Sequence, residues 1–124
     1  MTYDENNIFA KIIRKEIPAN VVYEDEKVLA FHDISQAAPI HILVIPKGNF
    51  TDLVDFSTNA SEEEIANFFK KVSQIAKDQE VINSGFRVIS NIGANAHQTV
   101  PHFHMHILAG KELGPLLKSD NLKR

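Results

Sequence analysis

The segment Val100 to Leu108, VPHFHMHIL, alternates histidine with apolar residues through three repeats. A period of two belongs to a β-strand, in which successive side chains point to opposite faces. His102, His104 and His106 therefore share one face, about 6.6 Å between neighbours, while Phe103, Met105 and Ile107 share the other and pack inward. The chain must build a sheet with a core on one side of this strand and work for imidazoles on the other. Core burial does not account for the row: three adjacent buried histidines would each need a hydrogen-bond partner and would repel one another if protonated. A merely solvated face does not account for it either, because such faces rarely choose histidine repeatedly, and this chain has only six in all.

The rest of the chain supplies the elements around that strand. In IFAKIIRK, residues 8–15, Ile8 and Ile12 fall a helical turn apart with Phe9 and Ile13 alongside, a short helix that stops before Pro18. Val21 to Glu24 and Val28 to Asp33 are β-rich runs split by an acidic turn, a hairpin, and IHILVIP is a further strand ending at Pro46. Ser61 and Glu64 have capping-box spacing, and Ile65, Phe68, Phe69, Val72, Ile75 and Ala76 form one apolar face of a helix running to near Val81. GFRVISN reads as a strand, IGANAHQ as a loop and PHFHMHILA as the last strand. Short turns between strands, with one long helix inserted, predict an antiparallel α+β sheet rather than a doubly wound one. At 124 residues the expectation is one domain over 1–124, with a core over about 8–110 and an irregular tail over 111–124, frayed at its basic end.

Composition narrows the partners. A net charge of −3 gives no general attraction to polyanions, so extended nucleic acid is not an expected partner. The absence of cysteine excludes disulfides and thiolate metal sites. No apolar run approaches the roughly 20 residues of a membrane span, and MTYDENN lacks the features of a signal peptide, which predicts a cytoplasmic protein with no membrane partner. There is no glycine-rich phosphate loop of the Walker or dinucleotide type. The triplet alone leaves two chemistries open. Same-face histidines can ligate a metal with an open coordination position, and imidazoles that titrate near neutrality can act as nucleophile, acid and base.

The flanking residues decide more. His41 lies in APIHILVIP, Asp33 ends AFHDI, and Gln98 and Thr99, which can hydrogen-bond a leaving group or a phosphate oxygen, precede the triplet. Together AFHDIS, AP.H.LVIPK and Q.V.H.H.H.L closely resemble the histidine triad (HIT) superfamily, and IFAKIIRKEIPA followed by VVYED resembles its Hint branch, the histidine triad nucleotide-binding proteins of bacterial type. The resemblance covers roughly residues 8–117. It implies a homodimer whose protomers each carry a five-stranded antiparallel sheet with two helices, the sheets joining across the interface. It implies hydrolysis of purine nucleoside phosphoramidates, in which AMP is joined to an amine through P–N, without metal or cofactor. The alternatives are a nucleotide-binding regulatory protein with incidental hydrolysis, and a dinucleotide polyphosphate hydrolase of the same superfamily, against which the Hint-like N-terminal segment argues.

By the same resemblance His104 is the nucleophile, His106 contacts the phosphate and assists proton transfer to the amine, and Thr99 lies near the leaving nitrogen. His102 and His41 belong to a supporting relay that fixes the tautomer of the nucleophile. Asp33 matches the acid that binds the ribose hydroxyls. Ile8, Phe9, Ile12, Phe31, Ile34 and Leu43 match the base pocket, with His32 beside them, and Asn91 matches a polar residue near the phosphate. Each apolar member also suits plain core packing. The chain departs from the branch at Ala96-His97, where Gly-Gly is usual, and at Pro101, which must sit at a strand start or edge because it cannot donate to a ladder. The tail KELGPLLKSDNLKR resembles bacterial Hint tails, which reach the partner's active site and shape the preference for the amine.

Overall fold

Asn7 caps the first helix, α1 (Ile8–Ile13): its side chain accepts from the Ala10 N–H at 2.9 Å. The helix ends two residues before the expected boundary because Lys15 turns into the left-handed region at φ 65°. Strands β1 (Val21–Glu24) and β2 (Val28–His32) form the expected hairpin, whose turn is held by Asp25 accepting from the Lys27 and Val28 amides at 2.8 Å each. Strands β3 (Ile40–Pro46), β4 (Arg87–Ile89) and β5 (Met105–Ala109) complete one antiparallel sheet in the order β1-β2-β3-β5-β4. This computed structural model describes residues 2–118, so the basic end of the tail, expected to fray, lies outside the described residues.

Helices cover both faces of the sheet centre. Helices α2 (Leu53–Asn59) and α3 (Glu62–Asp78) bring Phe56, Phe68, Val72 and Ile75 against Val28, Ala30, Ile42, Val44, Phe103 and Ile107. On the opposite face α1 brings Phe9 and Ile12 against Leu29, Phe31, Leu43 and Ile45. β2 and β3 are consequently buried on both sides and show no polar alternation. The imidazoles belong to the α1 face. Among the described residues no helix is long and apolar enough to cross a membrane.

Three expectations need correction. Sequence periodicity missed α2, although Asp52 caps it by accepting from the Asp55 N–H at 2.8 Å, a local signal of the same kind as Ser61 on α3. Phe69, expected on the buried stripe of α3, flanks it and is 41% exposed. The last strand starts at Met105 rather than at Pro101, because the His102 N–H bonds Val100 O at 2.9 Å and the Phe103 N–H bonds Phe50 O at 2.7 Å, outside the ladder. Only His106 of the three alternating histidines therefore sits on a paired strand.

Candidate active site

His106 on β5 lies opposite Leu43 on β3 and Ile89 on β4. His41, two residues before Leu43, occupies the same face of β3, so the two imidazoles are diagonal neighbours. His41 Nε2 and His106 Nδ1 are 2.8 Å apart. The direction of that bond follows from its other end. The Ala37 N–H donates to His41 Nδ1 at 3.0 Å, which makes Nδ1 an acceptor and leaves the His41 proton on Nε2. His41 then donates to His106 Nδ1, and the His106 proton resides on its Nε2.

The same reasoning fixes His104 with the opposite result. Its Nδ1 lies 2.7 Å from the His102 carbonyl oxygen, which can only accept. The proton is on Nδ1 and the lone pair on Nε2. His102 is pinned at both ring nitrogens, its Nε2–H donating to Pro46 O at 2.8 Å and its Nδ1 accepting from the Tyr3 phenol at 2.5 Å. Two adjacent rings, with centroids 5.2 Å apart, thus present a bare Nε2 lone pair on His104 and an Nε2–H on His106. Neither atom has a protein partner among the described residues, and neither is sealed from solvent.

Two of the three histidines are buried after all. His102 is fully buried and His104 is 6% exposed, yet every Nδ1 of the three has a partner and all three stay neutral. Burial is the leading cause throughout. It holds His104 and His41 below the usual imidazole range, with Asp33 opposing both, and takes His102 to about 4. It also takes His106 to about 4, with His104 and His41 adding to the effect. Neutrality removes the repulsion that a protonated row would suffer.

The two rings open into a cleft of about 340 Å³, within the range of small-molecule sites. Its walls include Ile8, Phe9, Ile12, Phe31, His32, Asp33, Ile34, Leu43, Asn91, Thr99, His104 and His106, so the structure brings together all twelve residues expected around a nucleotide. Ile17, Pro18, Ala19, His97 and Val100 line it as well. Ile17 to Ala19 carried no chemical signal in the sequence. Asp33 Oδ1 accepts from the Ser35 N–H at 2.8 Å, and Oδ2 lies 3.5 Å from His41 Nε2. Ile34 is 99% exposed, a rim residue rather than a core one.

His41, His102 and Gln98 are not part of the cleft wall. The Gln98 amide nitrogen donates to Thr51 O at 2.7 Å and Val100 O at 3.1 Å, and its oxygen accepts from the Gly93 N–H at 3.0 Å. It braces the loop in front of the histidines. A broader concavity of about 780 Å³ lies between the β1–β2 turn and α3, walled mainly by charged side chains such as Asp25, Glu63, Glu64 and Lys70. It holds no histidine, and the chemistry points to the smaller cleft.

Asp33, His41 and His106 could each direct one ligand atom to a common point, all within 4.8 Å of one another. The tautomer of His41 opposes a cation there. To ligate through Nε2, His41 would have to move its proton to Nδ1, where the Ala37 N–H already points. The His41 Nε2–H is instead engaged by His106 Nδ1.

Residues 14–113 match the family model of the HIT domain. The chain belongs to the HIT domain family. Among relatives of this HIT protein, a HIT-like protein of Azospirillum brasilense is 52% identical over 94% of this chain and 95% of its own length. The purine nucleoside phosphoramidase of Escherichia coli is 41% identical, covering 95% of this chain and 98% of the relative. A solved histidine triad protein from Clostridium difficile superposes with a TM-score of 0.80 at 41% identity, over 92% of this chain and 98% of that one. The five-stranded antiparallel fold and membership of a family of hydrolases are therefore shared features of this HIT protein.

Proposed function

We propose that this HIT protein is a purine nucleoside phosphoramidase working through a covalent nucleotidyl-histidine. The observation that carries the reading is the pair of opposed ring nitrogens, an Nε2 lone pair on His104 beside an Nε2–H on His106. His104 Nε2 attacks the α-phosphorus, forming an N–P bond as the P–N bond to the amine breaks. An amine leaves badly unless protonated; the departing nitrogen takes a solvent proton, while the His106 Nε2–H, which the neutral imidazole keeps, hydrogen-bonds the phosphate and assists that transfer. His104 then carries phosphorus on one nitrogen and a proton on the other, and the His102 carbonyl steadies that cationic ring. Water attacks phosphorus, the N–P electron pair returns to Nε2, the water's surplus proton returns to solvent, and AMP leaves.

In this reading the apolar wall of Ile8, Phe9, Ile12, Phe31 and Leu43 takes the purine, with Asp33 at the ribose and Asn91 and Thr99 at the phosphate and leaving group. No cofactor or metal takes part. The protein works in the cytoplasm as a single domain and a homodimer. The edge strand β4, with Val88 43% exposed, and the nearby exposed Ile92 support pairing of a second sheet at that edge. The test is AMP release from adenosine 5′-phosphoramidate with and without EDTA. The expected result is turnover that survives the chelator. AMP binding without turnover would sink the enzymatic reading in favour of a nucleotide-binding regulatory role.

A further inference from the structure

His104 depends on a carbonyl that no strand holds. The segment Pro101–His104 precedes β5, so the His102 C=O that accepts from His104 Nδ1 gains no direction from the sheet ladder. Its direction rests on the two amide bonds to Val100 O and Phe50 O and on the His102 side chain, fixed at both ring nitrogens. One of those two pins is Tyr3, 99 positions away in sequence.

The placement of Tyr3 is itself built. The Asn7 N–H and side-chain amide both donate to Asp4 O, at 3.2 and 2.7 Å, and the Asn6 N–H donates to the Asp4 carboxylate at 2.9 Å. Arg14 on the far end of α1 donates to Glu5 O at 2.8 Å. These bonds fold residues 4–7 into a turn that delivers the phenol to the back of the site, edge-on to His102 with ring centroids 5.6 Å apart. The bond can run in only one direction. His102 Nε2 donates to a carbonyl, so neutral His102 accepts at Nδ1 and Tyr3 donates.

We propose that Tyr3 is a positioning residue for the histidine nucleophile: its O–H locks the His102 ring from behind, and the locked residue holds its carbonyl on His104 Nδ1–H, keeping the lone pair on Nε2 toward the cleft. This rests on the phosphoramidase reading for its effect on turnover, though not for the bond itself. Burial raises the phenol above its usual range, which keeps it a donor at neutral pH. Tyr3 touches neither the cleft nor a reacting atom, so its loss should slow the chemical step and leave ligand binding intact.

The test uses the full chain and the Tyr3→Phe variant, which keeps the ring contact and removes only the hydroxyl, with Tyr3→Ala as the larger deletion. For adenosine 5′-phosphoramidate, Tyr3→Phe should lower kcat about ten- to hundredfold, the scale of a small misplacement of a reacting group, with AMP affinity unchanged. Nitrogen-15 spectra of the imidazoles should show His102 Nδ1 losing its donor and His104 populating its other tautomer. Unchanged kcat in Tyr3→Phe would overturn the proposal, as would equal losses of kcat and AMP affinity, which would mark a merely structural residue. If the wild-type protein itself fails to turn over, the phosphoramidase reading falls. The spectra then decide alone: an unaltered His104 tautomer in Tyr3→Phe overturns the positioning role, and an altered one supports it.

Discussion

At the scale of single residues, the site is a problem of where four protons sit. His104 and His106 have the same ring, and they differ in tautomer because one faces a carbonyl and the other faces an N–H. Replacing His104 with Ala should leave the fold and AMP binding in place while cutting turnover by several orders of magnitude, since the lone pair that attacks phosphorus is removed. Steady-state kinetics beside AMP titration checks this, and near wild-type turnover in the variant would remove His104 from the nucleophile role. Because burial holds His104 below the usual imidazole range, its lone pair stays available in mild acid. The acid limb of the kcat/KM profile should accordingly fall below the ordinary imidazole value of about 6.5. His97 is a different case. It holds φ 56° and ψ 42° on the loop beside the cleft, a left-handed conformation that costs a side-chain-bearing residue about 1 kcal/mol. His97→Gly should raise stability by roughly that amount in urea unfolding, and a loss of stability would show that the side chain is held by contacts outweighing the strain.

At the scale of elements, the sheet carries the diagonal pair and the helices close the back. Phe56 on α2 is fully buried and stacks on Phe103 with ring centroids 4.8 Å apart, between His102 and His104 in sequence. Phe56→Ala should cost about 3–5 kcal/mol by leaving a cavity, read as a lower urea midpoint, and a loss below about 1 kcal/mol would mean that α2 is not an integral part of that core. The hairpin, β3 and α3 were legible because alternation, β-branching and the Ser61 cap are local signals. The twelve cleft residues were legible only through the resemblance to the HIT superfamily, since periodicity alone reads the apolar ones as plain core packing. Helix α2 escaped because seven residues give too little periodicity to stand out from a loop. The burial of His102 escaped because its partners, Tyr3 and Pro46, lie 99 and 56 residues away, and no local pattern encodes such a bond. Pro101 was expected at a strand start or edge, but it lies outside the sheet, and the paired strand begins only at Met105.

At the scale of the molecule, packing neutral imidazoles at the centre of the fold ties stability to acidity. His102 takes a proton near pH 6.5 in the unfolded chain and only near 4 in the folded one. Its contribution is complete above pH 6.5 and is lost progressively as the pH falls toward 4, on the order of 3 kcal/mol in all. Urea unfolding at pH 7.5, 5.5 and 4.5 should show that decline, and a flat profile would contradict neutral burial. The proposed dimer makes its own prediction: Val88→Glu at the β4 edge should convert a sedimenting dimer to a monomer, and an unaffected dimer would place the interface elsewhere. The central claim, that His104 Nε2 attacks phosphorus, is tested most directly by quenching the enzyme during turnover of adenosine 5′-phosphoramidate and mapping the modified peptide by mass spectrometry. An adenylyl group on His104 is the predicted result. The same group on another residue, in an enzyme that turns over, would contradict it.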